Sequence, residues 1–362
     1  MKVIISGGGT AGHTHPALAI AEQIAEREKK ENVMFVLREG GRENRLIEER
    51  GFKTEYIDVA GLKRSLSFKN VTALKKAMVA KERCKRIIEQ FKPDLVLGTG
   101  GYVCFPLLAA AEKLKVKRVI HESNSTPGLS CRMLAHGCSA VLTSFESTKR
   151  YFPRTHVINV GNPLISDFGR LSADECRARL GVPRSDIMVL SVGGSLGSRR
   201  LNEVAGAAMQ TLCEKYKNLT FIHSLGEKNR DQMRIFESRK FRMVPYIKNM
   251  AEHLLACDIV ISRCGAVTLS EIALCGKAAI LIPSPNVTGN HQYKNARVIC
   301  DTGAGILLEE DKLTCASLCE NITELIENEE KRYDFASGIK RFSHPDAAKD
   351  IYETLKRLLA HG

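Results

Sequence analysis

Tryptophan is absent from this chain of 362 residues, and aromatic side chains make up only 6% of it. That scarcity argues against a protein that reads single strands of nucleic acid by stacking bases on rings, because within the basic stretch 63–90 Phe68 is the one ring present. Long apolar runs are missing too. None approaches the ~18 residues of a membrane span, and the three apolar residues between Lys2 and Ser6 are too few for a secretory signal. The expectation is a protein made and kept in the cytoplasm. The twelve cysteines include no C-x-x-C pair, and the closest two, Cys315 and Cys319, have no histidine nearby to complete a zinc site. They read as reduced, mostly buried thiols, and no metal or cofactor is implied.

Positive charge is what the chain has in excess. Lys and Arg outnumber Asp and Glu 54 to 41, a net +13, and about ten of that surplus fall between residues 60 and 120. A phosphorylated substrate, an anionic lipid surface or nucleic acid would each answer such a field.

Short β-branched runs, KVIIS, VMFVL, DLVLG, KRVIH, AVLTS and HVINV, alternate with helical stretches such as 16–29 and 73–90. The rhythm restarts at IMVLSVGGSLGSRRLN and continues through LTFIHS, DIVIS and AAILIP. The pattern predicts an α/β protein of two doubly wound Rossmann-like domains facing a cleft. One spans 1–163 and is completed by a C-terminal helix within 345–362; the other spans 164–344, with a linker near 161–167.

At the amino terminus, MKVIISGGGTAGHTHP satisfies G-x-G-x-x-G at Gly7, Gly9 and Gly12. A dinucleotide fold would end its second strand on an acidic residue that holds a ribose. Here VMFVLREGG offers Arg38 first, and His13, His15 and Pro16 crowd the helix start. The glycines therefore read as a turn and not as a nicotinamide site. In the second half, SRCGAVTLSEI leaves a strand, turns at Gly265 and enters a helix. Its first N–H groups suit a phosphate, and Glu271, one turn on, suits two ribose hydroxyls. In isolation Glu271 reads equally well as a carboxylate favoured by the helix dipole.

Eight segments, GGTAGH, HPALAIA, VLGTGGYVCFP, HESNSTPGL, VGNPL, VGGSLGSRRLN, SRCGAVTLSEI and GNHQYKNA, resemble in order and along almost the whole chain the MurG family of peptidoglycan glycosyltransferases. The resemblance implies an inverting enzyme of the GT-B arrangement. It implies transfer of N-acetylglucosamine from UDP-GlcNAc to the C4 hydroxyl of undecaprenyl-pyrophosphoryl-MurNAc-pentapeptide (lipid I to lipid II), at the cytoplasmic face of the cell membrane and in company with other cell-wall and division proteins. For the donor it implies Thr10, Ala11, Gly12, Asn124, Ser195, Ile247 (main chain to uracil), Ala266, Val267, Thr268, Leu269, Ser270, Glu271 (ribose) and Gln292 (sugar). For the acceptor it implies His13, Tyr102 and Asn124. The chain departs from the family at Ile165, where an arginine is expected, at Ala11 for a frequent glycine, and at His291 for an occasional glutamine. A glycolipid-forming transferase and a UDP-GlcNAc 2-epimerase share the architecture and stand as alternatives.

Inversion by direct displacement needs a base for the hydroxyl proton. An imidazole, with an ordinary pKa of about 6.5, suits that task at neutral pH, which makes His13 the candidate; a histidine capping its own turn is the plain alternative. No Asp-x-Asp occurs, so helix N-termini, rather than a required metal, are expected to carry the diphosphate charge.

The basic region adds a membrane expectation. Leu66 and Phe68 precede Val71, Leu74 and Met78, which fall at helical spacing, and Lys69, Lys75, Lys76 and Lys81 flank them. Such a stripe serves either as the inner face of a crossover helix or as a surface lying reversibly on an anionic leaflet. The surplus charge and a lipid-tailed acceptor favour the second.

Overall fold

VIIS, VMFVL and LVLG are apolar at nearly every position rather than at alternate ones, the pattern of strands covered by helices on both faces. The computed structural model describes residues 1–61, 68–165, 168–169, 171–229, 238 and 240–360. Its chain divides into two units, Met1–Ile165 with His344–Gly362, and Ser166–Ser343.

The first unit carries β1 (Val3–Ser6), β2 (Val33–Arg38), β3 (Lys53–Ile57), β4 (Leu95–Gly98), β5 (Lys117–Glu122), β6 (Ala140–Thr143) and β7 (Val157–Asn159). They form one parallel sheet in the order β3-β2-β1-β4-β5-β6-β7. Ile4, Val36 and Val96 face one core layer; Val3, Ile5, Phe35 and Leu97 face the other. The terminal helix Ala347–Ala360 adds Ile351, Tyr352 and Leu355 to that second layer, packing beside helix Ala11–Arg27, and the Tyr352 hydroxyl donates to Glu28 at 2.9 Å. Ile165 packs against the same layer. At the position where the resemblance leads to an arginine, this chain has an apolar core contact.

The second unit carries β8 (Ile187–Val192), β9 (Leu219–Ser224), β10 (Phe241–Val244), β11 (Ile259–Ser262), β12 (Ala278–Leu281) and β13 (Ile306–Leu307), parallel in the order β10-β9-β8-β11-β12-β13. Both sheets are Rossmann-like. In each, the strand order reverses at one place, between β1 and β4 and between β8 and β11, and the loops that leave these strands lie at the carboxyl ends where such folds take ligands.

Helix Phe68–Phe91 has two apolar stripes. Ala73, Ala80, Cys84, Ile87, Ile88 and Phe91 turn inward to the core. Val71, Leu74 and Met78 do not: they are 55%, 57% and 65% exposed, and Val79, which the spacing did not single out, is 72% exposed. Leu66 and the side chains of Phe68 and Lys69 lie outside the described residues. Lys75 is exposed, whereas Lys76 is half-buried and pairs with Asp58 at 2.8 Å. Among the described residues no helix is long and apolar enough to cross a membrane.

Candidate active site

In the first unit, the turn after β1 packs on the turn after β4. A Cβ on Gly7 would stand 1.8 Å from Thr99 Oγ1, and one on Gly101 would stand 2.2 Å from Gly8 O, so glycine at both positions lets the loops meet. Gly12 has ordinary room. The fingerprint match is therefore explained by loop-to-loop packing at its first glycine. Arg38, at the end of β2, donates to the Tyr102 hydroxyl at 3.0 Å, and the Gly9 N–H donates to Glu43. A cation stands where a ribose-binding carboxylate would, and an internal carboxylate already accepts from the loop.

His13 lies in the first turn of helix Ala11–Arg27. Its Nδ1 is 3.2 Å from Thr99 O, and Thr99 Oγ1 donates to His13 O at 2.8 Å. The ring is thus held by the β4 loop. A carbonyl can only accept, so Nδ1 carries the proton and the neutral ring has its lone pair on Nε2. Tyr102 and Asn124 follow β4 and β5, the next strands across the sheet, and both are half-buried. Thr10, Ala11 and Gly12 are exposed at the same end.

In the second unit, Ser195 is exposed in the loop Gly193–Ser198 after β8. Helix Ala266–Cys275 begins after β11 at Gly265 with no side chain capping it, which leaves its first N–H groups to a ligand. The Ala266 side chain is buried, so this residue would offer a ligand its main-chain N–H; Leu269 is buried and its N–H donates to Gly265 O at 2.9 Å, while Ser270 Oγ donates back to Ala266 O at 3.0 Å and keeps its lone pairs to accept. Val267 and Thr268 are half-buried. Glu271 is half-buried too; burial pushes its carboxyl up to about 7. The Ile247 side chain is buried, which again leaves its main chain as the contact. Gln292, in the first turn of helix His291–Cys300, accepts at Oε1 from the Cys264 N–H at 3.2 Å and the Ser284 N–H at 2.9 Å. Its NH2 edge is thereby turned away from the main chain.

Sequence reasoning missed one hub. Arg263, buried just after β11, donates to Ile282 O and Pro283 O at 3.2 Å each, donates to Ser198 Oγ, and pairs with Glu310. One guanidinium thus ties the loops after β8, β11, β12 and β13. The available signal was an arginine set between an apolar strand and a glycine turn.

Residues 3–143 match the sequence model of the glycosyltransferase family 28 N-terminal domain, and residues 188–351 that of its C-terminal domain. The chain is 37% identical to the UDP-N-acetylglucosamine–N-acetylmuramyl-(pentapeptide) pyrophosphoryl-undecaprenol N-acetylglucosamine transferase of Acetivibrio thermocellus, over 99% of this chain and 98% of that one. It is 36% identical to the enzyme of the same name from Bacillus cytotoxicus, over 99% and 100%. The crystal structure of Acinetobacter baumannii MurG superposes with a TM-score of 0.79 at 26% identity, covering 98% of this chain and 99% of that one. Domain models, relatives and fold agree along the whole length, and the chain belongs to the MurG family of glycosyltransferases.

Proposed function

We propose that the carboxyl end of the second unit's sheet holds UDP-GlcNAc and that of the first unit's sheet takes the lipid-linked acceptor. The activity itself follows from the family: the chain is a UDP-GlcNAc-dependent hexosyltransferase that carries N-acetylglucosamine to lipid I, giving lipid II in peptidoglycan synthesis. The observation that carries the division of labour is the uncapped helix Ala266–Cys275 at the β8/β11 reversal, with Glu271 one turn in. Its first N–H groups and the loop at Ser195 meet the diphosphate, Glu271 accepts from the ribose, the Ile247 main chain reads the uracil, and the Gln292 NH2 edge donates to a sugar hydroxyl.

Across the reaction, the acceptor oxygen bonds to the anomeric carbon as the bond to UDP breaks, which inverts that centre. His13 takes the hydroxyl proton at Nε2, and the imidazolium keeps its Nδ1–H bond to Thr99 O. The negative charge that builds on UDP is met by the helix N-terminus. Tyr102, Asn124 and the loop Thr10–Gly12 complete the acceptor and sugar contacts.

The enzyme works as a peripheral protein on the cytoplasmic face of the membrane. The exposed stripe Val71, Leu74, Met78 and Val79, with its lysines, meets the anionic leaflet and brings the first unit to the lipid pyrophosphate. Incubation with radiolabelled UDP-GlcNAc and a lipid I analogue, with UDP-GalNAc as control, tests the reading. Label should pass to the lipid from the first donor and not the second; release of free sugar without any lipid would overturn it.

A further inference from the structure

One carboxylate of the first unit is buried and, among the described residues, forms no ion pair with a cation. Glu122 ends β5 and is 2% exposed. Its charge is met instead by three N–H donors. Oε1 accepts from the Asn124 main-chain N–H at 2.9 Å and from Asn124 Nδ2 at 3.2 Å, and Oε2 accepts from the Gly128 N–H at 3.0 Å. Stability alone does not call for such a group, since a buried charge is expensive and a well-packed apolar side chain serves a core as well or better. These three bonds run to the loop 123–128, to which the acceptor contacts are assigned, and the Cys131 thiol of the following helix bonds to the same carboxylate.

The rest of that loop is tied through its main chain and a neighbouring serine. Thr148 Oγ1 donates to Asn124 O and to Ser125 O at 3.3 Å each, and Ser123 Oγ donates to Asn162 Oδ1 at 3.2 Å. Glu122 does something different. Because a carboxylate can only accept, it selects the NH2 edge of Asn124 and fixes both the rotamer and the amide orientation of that side chain. With its second oxygen it holds Gly128, the residue that starts helix Leu129–Leu134, whose Leu129 and Met133 are exposed.

We propose that Glu122 is a positioning residue for glycosyl transfer: it acts through Asn124, presetting the side chain that meets the substrate. The inference rests on the assignment of Asn124 to the site. Preorganisation of this kind lowers the cost of ordering a contact at the moment of binding and reaction.

A double-mutant cycle of Glu122→Gln and Asn124→Ala tests it, because glutamine sets an NH2 against the Gly128 N–H or the Asn124 amide. Each single change should lower acceptor kcat/KM roughly 10- to 100-fold, and the double variant should fall no more than about twofold below Asn124→Ala. UDP binding by calorimetry, which reports on the other unit, should stay within about twofold throughout. Additive losses would show Glu122 acting apart from Asn124 and overturn the proposal, as would unimpaired Glu122→Gln beside an impaired Asn124→Ala. Unimpaired Asn124→Ala would instead remove Asn124 from the site, and Glu122's role with it. If Glu122→Gln does not fold, the unaltered protein still decides: the Asn124 side-chain amide resonance, assigned by its loss in Asn124→Ala, should be protected from exchange, and rapid exchange would overturn the contact.

Discussion

The side-chain oxygen of Gln292 accepts the main-chain N–H of Ser284 at 2.9 Å, a bond that, with the one from Cys264, turns the amide's donor edge outward. Gln292→Glu keeps an acceptor for both N–H groups and loses the outward donor. It should relax the preference for UDP-GlcNAc over UDP-GalNAc while leaving the melting temperature nearly unchanged. Gln292→Ala should relax the preference and also destabilise by about 1 to 3 kcal/mol, because the N–H groups lose their partner. Ratios of kcat/KM for the two donors, with thermal melts, check both.

If Glu271 holds the ribose as proposed, donor binding should depend on pH. With its carboxyl pushed up to about 7 by burial, lowering the pH from 8 to 6 converts it from mostly ionised to mostly protonated, which removes the charge and turns one of the two oxygens offered to the ribose from acceptor to donor. Donor KM should rise on the order of tenfold across that range. In Glu271→Gln the KM should be high and flat; a profile unchanged from the parent would exclude Glu271 from the ribose site.

His13→Ala should lower kcat by roughly 10² to 10⁴, the range for loss of a general base, with UDP affinity unchanged. Retention of most activity would make the bond to Thr99 a structural one and send the proton by another route.

A buried chain in the second unit sets an acid limit on stability. Ser191 Oγ lies 2.9 Å from His223 Nδ1 and Asn202 Oδ1 lies 3.1 Å from Nε2, while Asn202 Nδ2 donates to Leu225 O at 2.9 Å. Burial lowers His223 to about 4 from its ordinary 6.5. The unfolded chain then takes up a proton at higher pH than the folded one. Stability present above pH 6.5 should be lost as the pH falls from 6.5 towards 4, on the order of 3 kcal/mol in all. His121, also lowered by burial, acts with the same sign in the first unit. Urea midpoints at pH 7.5 and 4.5 should differ less in His223→Gln than in the parent.

Membrane contact should follow the exposed stripe. Binding to vesicles rich in anionic lipid should fade as salt rises, and changing Met78 and Val79 to Gln, or Lys69, Lys75, Lys76 and Lys81 to Gln, should weaken flotation while UDP binding persists. Lys76 should contribute least of the four, since Asp58 already pairs with it. Flotation equal to the parent's in both variants would move the contact elsewhere.

Much of this was legible along the chain. Uninterrupted apolar runs announce buried parallel strands, their return after residue 186 announces a second sheet, and the glycine turns mark the strand ends at which each order reverses, because these features depend on near neighbours in sequence. The motif residues of the resemblance are legible for the same reason. Periodicity could not tell which of two stripes on helix Phe68–Phe91 faces the core, since a helix presents both and only the sheet beside it chooses; Val79 escaped notice on that account. Gly7 and Gly12 look alike in a fingerprint, yet at Gly7 a Cβ would meet Thr99 of the β4 loop, more than 80 residues away, as well as the His13 carbonyl, while Gly12 has room. Nor does local pattern say that Arg263 gathers four loops, or that Glu122 reaches Asn124 and Gly128 at once. Sequence by itself determined the elements and the chemistry available at their ends; tertiary structure decided which side chains share an environment, because that depends on contacts between strands and loops brought together only by folding.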